Sequence, residues 1–247
     1  CLINANPIQE KKAGVTIFRA LYGLGILCRF YDVDTLGDAD FPRSELVSSM
    51  YRFILENPKL DKKLKPSTMM GFSSLWIRSP KLLLDHSSLI HSCLTDDENP
   101  ALIEETLRGL FEMLNEERLR YNDVMESLEL APNKSESEDQ EDEEEEFDFT
   151  IAPSSSESAI IGSSIEIHKA DLLKLLIHQD PKLRRLSMSC IQSVIQQGLT
   201  HPGDCVPNIV ALLGDQYNKD QVERLVVHLE KQYSEFFWNR IIDCLSS

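Results

Sequence analysis

The chain has 247 residues, 42% of them hydrophobic, and a formal net charge of -16. That is enough apolar material for one or two buried cores without staples, and no apolar run approaches the roughly 18 residues of a membrane span. Ten acids and no base lie between Glu136 and Asp148; outside that run 31 acids face 25 bases, so the overall sign excludes neither a protein partner nor a local DNA-facing patch.

Six cysteines (Cys1, Cys28, Cys93, Cys190, Cys205, Cys244) are scattered without a CxxC pair, mostly on apolar stripes, which fits buried free thiols in a reducing compartment. With no signal-like segment, a soluble intracellular protein is expected. The start at Cys1 and the apolar pattern running to the last residues suggest a piece of a longer chain.

Helical periodicity dominates, and no run alternates as a strand does. Ile17, Leu21, Leu24, Cys28 and Tyr31 share one face of a first helix. Val47, Met50 and Ile54 mark a second, ended by Asn57-Pro58. A third opens near Pro66 and carries Met69, Phe72 and Trp76 up to Ser79-Pro80. The pattern predicts a fourth through Leu82, Ile90 and Leu94, and a fifth from Asn99-Pro100 to about Leu130. After the acidic run come a helix over 165–178, one from Asp180-Pro181 through Ile195, a short one with Val206, Ile209 and Leu213, and a last one from Val222 through Phe237.

Helices that restart in pairs every 35 to 45 residues are the signature of a helical solenoid. The openings DKKLKPSTMMGF at 61, ENPALIEETLRGL at 98 and DPKLRRLSMSCI at 180 are related, and the third follows the HEAT-repeat order of Asp-Pro, apolar residue, Arg. In such a repeat Asp180 caps the incoming helix and Arg184 reaches a carboxylate or carbonyl of a neighbouring loop. The expected fold is all-α: a HEAT-repeat α-solenoid over residues 1–131 and 165–247, with a disordered acidic, Ser-rich loop at 132–164 inserted within one repeat. A compact helical bundle is the competing architecture. Dense like charge and few apolar groups make ordering of that loop unfavourable. It reads as a solvated spacer, or as a segment in which Ser135 and Ser137 are phosphorylated by an acidophilic kinase.

The stretch QQGLTHPGDCVPNIVALLGD at 196–215 sets His201 and Cys205 four apart between two prolines. A zinc site needs about four converging ligands, and a thiol nucleophile needs a base and a cleft; neither set is legible here. A helix joint accounts for more: Gly198 ends one helix, His201-Pro202 forces an extended turn, Cys205 packs inward, and Pro207 starts the next helix. No P-loop, HExxH or GxSxG occurs, and neither catalytic residues nor a cofactor or metal site is assigned. Lys59, Lys62, Lys63 and Lys65 form the densest basic cluster, with Arg184 and Arg185 a second. Their natural use beyond a solvated face is contact with phosphates of duplex DNA or with a partner, salt-sensitive and sequence-blind.

Two stretches go beyond a generic repeat, ALYGLGILCRFYDVD at 20–34 and the 196–215 joint with its HPxxCVP followed by EKQYSEFF at 230–237, and MMGFSSLWIRSPKLL at 69–83 and DPKLRRLSMSCIQSVI at 180–195 extend the match. Together they resemble the C-terminal HEAT region of the cohesin-loading subunit, the Nipped-B or adherin family. The resemblance implies a nuclear, chromatin-bound scaffold without an ATPase site of its own. With a small partner subunit bound elsewhere on the chain, it would load cohesin onto chromatin and stimulate the cohesin ATPase, touching the ATPase heads, the kleisin and double-stranded DNA. A HEAT adaptor of another kind, such as a nuclear transport receptor or a phosphatase scaffold holding peptide segments, is the alternative, and a thiol enzyme using Cys205 is a third.

Overall fold

The computed structural model describes residues 7–36, 43–58, 60–129 and 156–245. Lys59, Ser135, Ser137 and the acidic run therefore lie outside the described residues. Among the described residues there is no strand. The helices are α1 (Pro7–Phe30), α2 (Arg43–Glu56), α3 (Leu64–Arg78), α4 (Lys81–Asp85), α5 (Ser87–Leu94), α6 (Pro100–Glu129), α7 (Ser156–Leu175), α8 (Pro181–Gln196), α9 (Val206–Ala211), α10 (Lys219–Gln232) and α11 (Ser234–Leu245). The fold is all-α and HEAT-like, as the spacing predicts. It divides into two compact units, Cys1–Leu110 and Phe111–Ser247, with the division falling inside α6.

In the first unit α1 lies against α3 at glycines. A side chain on Gly25 would overlap the Gly71 backbone, and one on Gly71 would come within 2.7 Å of the Leu21 carbonyl and the Tyr51 hydroxyl. Small residues here allow the two backbones to approach closely enough for Tyr51 of α2 to be fully buried and donate its hydroxyl to the Leu21 carbonyl at 2.5 Å. Phe72 packs between Tyr51 and Trp76, with ring centroids 5.9 and 5.5 Å away, and α6 adds Leu102, Ile103, Leu107 and Leu110 to the same core.

Three element boundaries differ from the periodicity. The predicted fourth helix is two, α4 and α5, broken at His86, whose backbone leaves helical geometry (φ -117°, ψ 24°). His86 packs its ring on Phe72 at 5.5 Å and shares a 2.9 Å hydrogen bond with Ser48, contacts from α3 and α2 that periodicity along one helix does not encode. The last helix is likewise two, α10 and α11, parted at Tyr233 (φ -131°, ψ 40°). Finally, residues 156–164, read from composition as loop, are the first turns of α7. Ile161, Ser164 and Ile165 are buried there, and Ser163 and Ser164 donate their hydroxyls to the carbonyls of Ala159 and Ile160. Serine one turn up a helix can satisfy its hydroxyl on the helix itself, so a Ser-rich composition hid a helical start.

Candidate functional site

The joint at 196–207 is built from local rules. Gly198 takes φ +64°, and the amides of Gly198 and Leu199 donate to the carbonyls of Ile195 and Val194, the paired bonds of a Schellman stop on α8. His201 is then extended, and its Nδ1 accepts from the Gly203 amide at 3.3 Å, opening a single 3-10 turn over Pro202–Asp204. Cys205 is fully buried, and Pro207 sits in the first turn of α9.

Side chains from other elements clamp this turn. Lys169 of α7 donates to Asp204 at 3.0 Å and to Glu166 at 2.5 Å, and Thr200 donates to the other oxygen of Glu166 at 3.3 Å. Arg240 of α11 donates to the Gly203 carbonyl at 3.2 Å. The Phe236 ring stands edge-on to His201, centroids 4.8 Å apart, and so close to Gly203 that any side chain there would overlap it.

Burial pushes the Cys205 thiol up to about 12, so at neutral pH it holds its proton and is a poor nucleophile and a poor metal ligand. Cys190 is driven up to about 12 and Cys93 to about 11 for the same reason. Among the described residues no group of three or more His, Cys, Asp or Glu side chains is placed to hold a metal ion. No described helix is long and apolar enough to cross a membrane.

Asp180 caps α8 by accepting from the Lys182 amide at 2.9 Å. Arg184, one turn on, donates through Nε and Nη2 to the two oxygens of Asp215 at 2.7 and 2.9 Å, and through Nη1 to the carbonyls of His178 and Gln179. The pair is nearly enclosed, 15% and 8% of its side chains being exposed. The bidentate guanidinium holds the Asp215 carboxyl at about 2, helped by Asn218 and the Tyr217 amide. Arg184 is therefore committed within the fold, and Arg185 beside it is exposed.

Lys62 and Lys63 lie in the turn just before α3, and Lys65 is in the first turn of α3. Lys62 and Lys63 are exposed and Lys65 is half-buried. Lys62 Nζ pairs with Glu98 at 2.5 Å, both ends open to solvent, and the Asn99 amide nitrogen donates to the Lys62 carbonyl at 3.1 Å. The hydrogen bond to Glu98, with Asp96 adding to it, raises the Lys62 pKa. Sequence reasoning found the lysines and missed their acidic neighbours. The signal was in the register: DKK at 61 and ENP at 98 occupy the same position of successive repeat openings, and side-by-side repeats bring equivalent loop residues together. Arg184 and Asp215, 31 positions apart, meet across successive interhelical loops in the same way.

Comparison with known proteins finds one family model and several relatives similar to this chain. Residues 162–247, which contain both the Arg184–Asp215 pair and the HPxxCVP joint, match the family model described as the sister chromatid cohesion C-terminus. The chain is 22% identical over 241 residues to the Nipped-B-like proteins of Mus musculus and Homo sapiens, a match covering 94% of this chain and 8% of each relative. It is 24% identical over 228 residues to Nipped-B-like protein B of Danio rerio, covering 89% of this chain and 7% of that protein. The chain thus spans less than a tenth of the length of the relatives it matches. The similarity thus has two parts: residues 162–247 match the model of the sister chromatid cohesion C-terminus, and a fainter likeness to Nipped-B-like proteins runs through 94% of the chain.

Proposed function

We propose that this chain is a non-enzymatic scaffold segment of a cohesin loader, acting at chromatin in the nucleus in support of sister chromatid cohesion. The observation that carries the reading is the family match over residues 162–247, whose description names sister chromatid cohesion. The character of the structure supports it: helix pairs, thiols buried in protonated form, and charged side chains spent on fixing interhelical loops. A HEAT-type surface works by holding other macromolecules in place, and its contribution to the cohesin ATPase is positioning.

In this reading the partners are the cohesin ATPase heads and kleisin, with duplex DNA held through Lys62, Lys63, Lys65 and Arg185, and Lys59 continuing the basic run in sequence. The small loader subunit binds a part of the loader outside this sequence, and the stretch around Ser135 and Ser137 is a charged spacer inserted within a repeat. The purified chain should retain cohesin head or kleisin segments in a pull-down, and Lys62→Glu, Lys63→Glu, Lys65→Glu together should weaken both duplex binding and DNA-dependent stimulation of the cohesin ATPase. Retention of transport factors or a phosphatase instead of cohesin segments would replace this reading with a HEAT adaptor of another kind. Unchanged stimulation by the triple variant would remove the lysines from it.

A further inference from the structure

The α5–α6 turn combines features that the scaffold role leaves unused. Thr95 ends α5 as its C-cap residue, and the next three residues are Asp96, Asp97 and Glu98. The Thr95 hydroxyl, at the protein surface, donates to the His91 carbonyl at 2.8 Å and is otherwise spent on no side chain. Within the turn the Thr95 amide donates to the His91 carbonyl, the Asp97 amide to the Thr95 carbonyl and the Asn99 amide to the Asp96 carbonyl.

A hydroxyl followed by acids at the first, second and third positions is what a kinase with a basic substrate groove reads, since each carboxylate pairs with a Lys or Arg of the enzyme. The second feature is what lies beside the turn. Glu98 pairs with Lys62, Asn99 holds the Lys62 carbonyl, and Lys65 and Asp96 are both close enough to Cys93 to act on its thiol electrostatically. The acidic turn and the basic cluster are thus one electrostatic unit within the first compact unit of the chain.

We propose that Thr95 is a phosphoacceptor for an acidophilic Ser/Thr kinase, and that the phosphate set into this turn neutralises the neighbouring Lys62, Lys63 and Lys65 cluster. The kinase transfers the γ-phosphoryl group of ATP: a bond forms between Thr95 Oγ1 and Pγ, the bond from Pγ to the β-bridging oxygen breaks, ADP leaves with that electron pair, and the hydroxyl proton passes to a base on the kinase. The product carries about two negative charges and three strong acceptor oxygens where one neutral hydroxyl stood. With Asp96, Asp97 and Glu98 already present, the basic cluster then faces an excess of negative charge and loses its attraction for polyanions. This second consequence rests on the duplex-binding role proposed above; the acceptor assignment does not.

The test incubates the whole chain with ATP and a purified acidophilic kinase of the casein kinase 2 type, then maps phosphate by tandem mass spectrometry. Ser135 and Ser137, followed by acids in the same polypeptide, report that the kinase is active on it. The expected result is phosphate on Thr95 of the folded chain, retained in Thr95→Ser and reduced at least tenfold in an Asp97→Asn, Glu98→Gln variant. Phosphate on Ser135 or Ser137 with none on Thr95 would overturn the assignment. Duplex affinity is then compared between kinase-treated wild type and kinase-treated Thr95→Val, which share every other phosphate. A several-fold weaker wild type at low salt supports the masking role, and equal affinities overturn it. If neither untreated protein binds duplex, the proposed DNA contact fails while the mapped acceptor stands on its own.

Discussion

Arg184 illustrates how much one side chain can be asked to hold. It makes four charge-assisted contacts, two to Asp215 and two to the carbonyls of His178 and Gln179 in the turn between α7 and α8, and thereby ties the turn before α8 to the turn before α10. Removing the guanidinium leaves a nearly enclosed carboxylate without its partner, so Arg184→Ala should cost about 2–3 kcal/mol in urea unfolding. Arg184→Lys should recover little, because an ammonium cannot span both carboxylate oxygens. The pair also sets a pH dependence. The Asp215 carboxyl is held at about 2, below its unfolded value of about 3.9, so its contribution is complete above pH 4 and lost as pH falls toward 2. Asp215→Asn should flatten stability against pH across that window.

The buried thiols are tested at the same scale. A thiol raised to about 11 or 12 offers almost no thiolate at neutral pH, so alkylation of the native protein should leave Cys93, Cys190 and Cys205 unmodified until denaturant is added. Rapid native labelling of Cys205 would reopen the thiol-enzyme reading.

Between α8 and α9 the design is a tight corner with one permissible side-chain volume. Gly203 faces the Phe236 ring and cannot carry a Cβ unless that ring moves, while Gly198 adopts a backbone that L side chains rarely take. Gly203→Ala should lower stability by about 1–3 kcal/mol through overpacking, and Gly198→Ala by about 1–2 kcal/mol through the left-handed backbone. The two mechanisms are separable by double-mutant analysis. Phe236→Ala should relieve most of the Gly203→Ala defect and none of the Gly198→Ala defect, measured as midpoint shifts in chemical denaturation. The α7 and α11 clamps, Lys169 on Asp204 and Arg240 on the Gly203 carbonyl, explain why an exposed-looking turn between prolines is rigid enough to be a fixed corner.

For the chain as a whole, the lysines proposed to contact duplex DNA are distinct from the enclosed Arg184–Asp215 pair that fixes the loops. Several ion pairs of the described residues are surface pairs within one helix, such as Arg52–Glu56 and Arg108–Glu104, which contribute little to stability. If the lysine cluster contacts duplex phosphates, the observed association constant should fall with salt, and each lysine removed should flatten the log–log slope by about 0.9. A slope unchanged in the triple Lys62, Lys63, Lys65 reversal would place the DNA-binding charge elsewhere.

The helices, the stop at Gly198, the cap at Asp180 and the partnership awaiting Arg184 were legible from residues alone, because capping and apolar spacing act over four or five positions of one segment. The composition of 156–164 misled because a serine bonded back to its own helix is indistinguishable, by letter, from a serine in a loop. Only the tertiary structure decided the breaks at His86 and Tyr233, the identity of Asp215 as the Arg184 acceptor, and the pairing of Lys62 with Glu98. The break at His86 and both pairings depend on contacts 30 or more positions apart or on a ring from a neighbouring helix, and no single-segment pattern carries that information until the helices are stacked and their loops brought into register.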